Sequence, residues 1–204
     1  MKNYLLQSLS KAMFAASVIV AAAFQSNAQT QSAAQQSSPV ATAANADRGY
    51  LVKVGDQAPD NFELVLDNGK KTSLKQLRGK VVVLQFTASW CSVCRREMPH
   101  LETDVWKAYQ NKNVVLIGVD RDEPLEKVQK FRQDIQVTYP LALDPGADIF
   151  GRFADKKAGV TRNVVIDQSG KIVFLTRLYD VNEFTEMVKV IDDLANKPLL
   201  KASL

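Results

Sequence analysis

Apolar residues along this chain gather in two alternating patterns, short solid runs and stripes of helical spacing. The run Val81-Val82-Val83-Leu84-Gln85-Phe86 carries one polar residue, and residues 114–119 form a second run of the same kind. Continuous apolar runs rich in β-branched residues predict strands buried on both faces, as in a parallel sheet. Between the runs, Met98, Leu101, Val105 and Ala108 recur at helical spacing, and beyond the second run so do Leu125, Val128, Phe131 and Ile135. Pro99 removes a backbone donor inside the first of these helices and predicts a kink. Asp122 is placed to cap the second, with Pro124 in its first turn. Residues 139–143 read as a short extended piece, and 147–154 as a short helix. Val164-Val165-Ile166 and Ile172-Val173-Phe174-Leu175 are strands about the turn Asp167-Gln168-Ser169-Gly170. A stripe of Phe184, Met187, Val188, Ile191 and Leu194 ends the pattern with a helix.

Upstream, residues 62–66 form a strand, Asn68-Gly69 supplies a hairpin turn, and residues 72–80 form a short turn of helix ending at Gly79. From Val81 the order is therefore β-α-β-α-(α)-β-β-α. The predicted class is α/β: a central mixed β-sheet flanked by helices, with an N-terminal β-hairpin extension.

The N-terminus follows a different pattern. Lys2 and Lys11 precede an apolar run over residues 12–24, and Ser26-Asn27-Ala28 offers small residues for cleavage. Residues 1–28 therefore read as a signal peptide cut after Ala28; the apolar run at 12–24 is too short to span a bilayer comfortably, and a retained membrane anchor is the alternative. Residues 29–49 are rich in Ala, Gln, Ser and Thr and read as a flexible linker. A folded domain is expected over 50–197, followed by a short tail at 198–204. The 204 residues suffice for one domain with a sizeable core. The net charge is +4, of which Lys2 and Lys11 supply two, and no clustered basic face points to nucleic acid.

The candidate chemistry lies in Trp90-Cys91-Ser92-Val93-Cys94, which holds the only two cysteines of the chain. It follows a predicted strand and opens a predicted helix. A thiol at a helix N-terminus meets unsatisfied N–H groups and the positive end of the macrodipole, which lowers its pKa and makes it a nucleophile. Cys91 is assigned as the attacking thiol and Cys94, one turn further in, as the resolving thiol. A structural disulfide is the first alternative, although so short a loop restrains the unfolded chain little. Half of a zinc site is the second, although zinc takes four ligands and the chain offers one histidine, His100, read as a surface or boundary residue. No metal or cofactor is assigned.

The segment Phe86-Thr87-Ala88-Ser89-Trp90-Cys91-Ser92-Val93-Cys94-Arg95-Arg96-Glu97-Met98-Pro99 resembles the active-site segment of exported thioredoxin-like proteins of the TlpA/ResA type. The likeness extends over about residues 53–195 and implies a thioredoxin fold, a redox-active dithiol, a periplasmic or membrane-facing location and exchange with the disulfides of other proteins. It also implies a role for Glu97, one turn beyond Cys94, as the carboxylate that takes the Cys94 proton; the alternative is an exposed carboxylate paired with an arginine. One family feature is missing. Thioredoxin folds carry a cis-proline facing the cysteines, and aligning the strand puts Thr161 in its place, so the Val160–Thr161 bond is either trans or cis. The Thr161 N–H or hydroxyl is placed to favour the Cys91 thiolate, and Arg162 to add positive charge beside it, with a solvated arginine as the alternative. Trp90, Val160, Thr161 and Arg162 are the expected substrate-binding residues.

The leading function is an exported thiol–disulfide oxidoreductase, acting as a reductant on protein disulfides and re-reduced by a membrane or periplasmic electron donor. One alternative is a thiol peroxidase of peroxiredoxin type, whose active site resembles Pro-x-x-x-Thr-x-x-Cys; here Leu84 and Ala88 stand at the proline and threonine positions. Another is a thioredoxin-like module that binds copper or a partner without turnover. Oligomeric state, substrate and donor are not written in the sequence.

Overall fold

The computed structural model describes residues 48–196. The expected signal peptide, the tail and nearly all of the linker lie outside the described residues. Strands β1 (Leu64–Leu66) and β2 (Lys71–Thr72) precede β3 (Val81–Thr87). Helix α1 (Ser92–His100) continues into a π-helical segment, Leu101–Lys107. There follow β4 (Val114–Arg121), α2 (Leu125–Ile135), β5 (Leu141–Asp144), a 3₁₀ turn (Pro145–Ala147) and α3 (Phe150–Phe153). Strands β6 (Arg162–Ile166) and β7 (Ile172–Leu175) and helix α4 (Val181–Ala195) complete the domain.

The strands form one seven-stranded sheet in the order β2-β1-β5-β4-β3-β6-β7. Strand β3 runs parallel to β4, and β4 to β5, whereas β6 and β7 are antiparallel, so the sheet is mixed as the pattern predicts. The early hairpin forms about Asn68-Gly69, with Gly69 at φ 81°, a conformation glycine adopts without strain. It joins the sheet through β5, pairing Val65 with Leu143. Of residues 139–143, read only as extended, the last three fall in β5, the strand that links the extension to the parallel core.

Every residue of β3 is buried, because its side chains feed two cores alternately. Val82, Leu84 and Phe86 pack with Phe150, Phe153 and the two cysteines. Val81 and Val83 pack with Met98, Leu101, Phe131, Phe184 and Met187. Each fully buried side chain of this size contributes about 1.5–3 kcal/mol. Gln85 lies on the second face, a polar group at the centre of the sheet with no access to water.

Three local expectations change. The kink at Pro99 appears as a slip in helical register: without an N–H at Pro99 the α-helical ladder is interrupted, and the helix runs on as a π-helix from Leu101. Asp122 does not cap α2. It sits at φ 61° and its carboxylate accepts the Gly146 N–H at 2.9 Å, which leaves Pro124 at the N-cap position without a side-chain cap. Residues 72–80 make consecutive turns, with Leu77 N–H reaching Ser73 O at 3.2 Å, but no helix propagates before Gly79 at φ 86°.

Candidate active site

The turn after β3 delivers Cys91 to the N-cap of α1. The Cys91 N–H bonds Ala88 O at 3.1 Å, and Cys91 takes extended backbone angles, φ −86° and ψ 104°, as the helix N-cap. Its sulfur accepts the Cys94 N–H at 3.1 Å, so a thiolate here would be held by a backbone donor as well as by the helix dipole. Cys91 and Cys94 are disulfide-bonded, with Cα atoms 5.3 Å apart. Cys91 is 8% exposed and Cys94 fully buried, so of the two residues only Cys91 meets solvent.

Thr161 faces both sulfurs. Its hydroxyl lies 3.1 Å from Cys91 Sγ and 3.2 Å from Cys94 Sγ. Its carbonyl accepts the Leu178 N–H at 3.1 Å and a guanidinium N–H of Arg177 at 3.4 Å, so the loop carrying the hydroxyl is tied to the segment after β7. Val160 beside it is buried. Trp90 is 62% exposed, and presents its ring to solvent next to the disulfide.

Arg162 is not solvated. It is fully buried, its guanidinium lying 4.4 Å from the Tyr50 ring centroid and 5.9 Å from that of Phe150. Its side-chain nitrogens have no hydrogen-bond partner among the described residues, and burial lowers its pKa. Its charge therefore lies against aromatic faces rather than in a hydrogen bond to a sulfur. His100 is exposed and stacks on Tyr179 with centroids 5.2 Å apart.

Glu97 is 1% exposed and pairs with no arginine. One carboxylate oxygen accepts a 2.6 Å hydrogen bond from the Asn163 side chain and the other a longer 3.4 Å contact from Gln85. Gln85 in turn accepts from the Tyr139 hydroxyl at 2.8 Å, and Asn163 also donates to Thr176 Oγ1 at 2.9 Å. Burial pushes the Glu97 carboxyl up, the two amides pull it part of the way back, and it titrates at about 7. A carboxyl poised there, one helical turn from Cys94, exchanges a proton readily at neutral pH. Gln85, Tyr139, Asn163 and Thr176 escaped the sequence reading. The visible signal was Gln85, the lone polar residue in an apolar strand.

A helix-capping disulfide at the end of a central parallel strand, backed by a buried carboxyl, defines a thiol–disulfide oxidoreductase of thioredoxin fold. Residues 54–175 match the AhpC/TSA family, and the chain belongs to it. It is similar to the thiol-disulfide oxidoreductase ResA of Bacillus cereus, 34% identical over 122 residues that cover 60% of this chain and 68% of the relative. Against ResA of Halalkalibacterium halodurans it is 32% identical over 148 residues, covering 71% and 81%. Among solved structures it is similar to a candidate protein disulfide isomerase from Bacteroides thetaiotaomicron, with 56% identity and a TM-score of 0.71 over 73% of this chain and 94% of that one. A candidate thiol:disulfide interchange protein DsbE from Chlorobium tepidum aligns with 25% identity and a TM-score of 0.59, over 70% and 99%.

Proposed function

We propose that the protein is an exported reductant of protein disulfides. In the reduced enzyme the Cys91 thiolate attacks one sulfur of a partner's disulfide, forming a mixed disulfide and releasing the partner's other sulfur as a thiolate. Cys94 then attacks Cys91 Sγ while Glu97 accepts the Cys94 proton. The partner leaves as a dithiol, and the enzyme is left with the Cys91–Cys94 disulfide. A membrane or periplasmic dithiol donor restores the reduced form by the reverse exchange. Thr161 donates its hydroxyl to whichever sulfur carries charge, and Trp90 and Val160 flank the site that the partner enters.

The observation that carries this reading is the asymmetry of the pair: Cys91 caps α1 and is reachable, whereas Cys94 is fully buried one turn inside. Export is supported by the signal-like pattern of residues 1–28. No helix among the described residues is long and apolar enough to cross a membrane. A thiol peroxidase is not favoured, since Ala88 brings no hydroxyl and the Arg162 guanidinium is engaged with Tyr50 and Phe150.

The test is mixed-disulfide trapping with a disulfide-bonded protein substrate such as insulin. Cys94→Ser is expected to accumulate a covalent adduct through Cys91 and Cys91→Ser to form none. Equal adduct yields from the two variants would defeat the assignment.

A further inference from the structure

Two residues before Cys91, the backbone is held from both sides by charge. The Ser89 N–H and hydroxyl donate to the two Glu123 carboxylate oxygens at 2.5 and 2.7 Å, and the Ser89 carbonyl accepts from Arg95 Nε at 2.8 Å. Ser89 is the middle residue of the turn between β3 and α1, and the Cys91 N–H closes that turn onto Ala88 O. Any shift of Ser89 therefore moves the nucleophile.

Glu123 is itself anchored. Its side chain is 3% exposed, and Lys127 reaches it at 2.6 Å from the first turn of α2. Behind it lies Asp120, fully buried near the end of β4 and opposite Thr87, the last residue of β3. Among the described residues, no hydrogen-bond donor reaches either Asp120 oxygen. Burial raises the Asp120 pKa to about 8, with the charge of Glu123, a hydrogen bond to it and the charge of Asp144 adding to the rise and Lys127 opposing it. A neutral Asp120 carboxyl has one O–H to give, and the adjoining Glu123 carboxylate is its acceptor. The groups facing this pair are thus Lys127 on α2, Asp144 at the end of β5 and the neutral Ser89 turn.

We infer that Glu123 is a positioning residue for the thiol exchange: backed by the buried carboxyl of Asp120, its carboxylate holds Ser89 and, through the turn, the Cys91 sulfur in its attacking position. When Asp120 loses its proton, two carboxylates face each other without a donor between them, and the grip on Ser89 loosens. This rests on the oxidoreductase reading of the dithiol, but concerns residues that touch neither sulfur.

The experiment is the pH profile of disulfide exchange between the reduced full chain and a small aromatic disulfide, from pH 6 to 10. It is run on the parent, Glu123→Gln, Ser89→Ala and Asp120→Asn, each checked for folding by near-UV circular dichroism. Glu123→Gln is expected to lower the plateau rate at full thiolate about tenfold while leaving the Cys91 inflection in the profile. Ser89→Ala, which keeps the backbone bond, is expected to lose about threefold. Asp120→Asn is expected to abolish a second, alkaline fall in rate that the parent shows. A folded Glu123→Gln with the parent's plateau overturns the positioning role, and an alkaline fall that persists in Asp120→Asn overturns the part given to the carboxyl pair. If Glu123→Gln fails to fold, Ser89→Ala decides: a parent-like plateau overturns the inference. A parent that exchanges no disulfide at all overturns the oxidoreductase reading instead.

Discussion

Two buried glutamates serve the same short stretch of chain and titrate in opposite directions. Glu97 on α1 and Glu123 at the foot of α2 are both nearly inaccessible, at 1% and 7% exposure. Burial raises both. Glu97 then meets the neutral amides of Asn163 and Gln85, with the charge of Glu183 adding to the rise, and stays up at about 7. Glu123 meets the Lys127 ammonium, the Ser89 N–H and the Ser89 hydroxyl, and these pull it below the ordinary carboxylate range. Both side chains are shut off from water, but Glu97 lies deeper in the core, so burial and partners together hold one carboxyl up and the other down. The permanent anion fits a structural grip on Ser89, and the carrier fits a residue one turn from the resolving thiol.

The largest effect is expected at Glu97. Glu97→Gln is expected to slow resolution of the mixed disulfide about a hundredfold near neutral pH and to remove an inflection near pH 7, read by stopped-flow release of the partner dithiol. Converting Glu123 toward the behaviour of Glu97 sharpens the contrast. Lys127→Met removes its cation and is expected to raise the Glu123 pKa, seen by carboxyl NMR titration. Because Lys127 is 53% exposed, stability should change by no more than about 0.5–1 kcal/mol.

A third expectation concerns stability against pH. Glu97 and Asp120 hold protons in the fold, up to about 7 and about 8, which the unfolded chain releases in the ordinary carboxylate range. Their contribution is therefore fully present at low pH and is lost as pH rises through the two folded values. Glu97→Gln and Asp120→Asn together should flatten the fall in denaturant midpoint between about pH 4 and 8, and an unchanged slope would refute the buried protonated carboxyls. Smaller again, Thr161→Val keeps the size but removes the hydroxyl from both sulfurs, and should slow alkylation of Cys91 a few-fold at pH 7. The least effect on folding is expected from Trp90→Ala. With the residue 62% exposed, the change should leave the unfolding midpoint in place and raise only the Michaelis constant for a protein substrate.

How much of this was legible beforehand follows from the range of the signals. The buried runs at 81–86 and 114–119 and the helical stripes carry their own periodicity, and they gave the α/β order directly. The Cys91/Cys94 pair is a local motif on a strand–helix junction, so it too was readable. Strand β5 was weaker because four residues carry little period, and its identity as a strand comes from pairing with β4 on one side and β1 on the other. Asp122 illustrates the same limit. Its local position suggested a cap, but a hydrogen bond to Gly146, twenty-four residues on, fixed its conformation. The network around Glu97 was invisible for a related reason. Gln85, Asn163 and Tyr139 come from three strand neighbourhoods and meet only once the sheet is assembled, although the single polar residue in β3 marked where such a network had to be.

The proposed exchange requires Cys91 and Cys94 to act as one reversible couple. The direct measurement is thiol trapping of the full chain across a series of glutathione ratios at pH 7, with reduced and oxidised forms separated by alkylation and mass. Both thiols are expected to appear and disappear together in a single two-electron transition, with a midpoint toward the reducing end of the range of about −270 to −120 mV that this fold spans. A pair that stays oxidised through the whole series, or thiols that titrate one at a time, would contradict it.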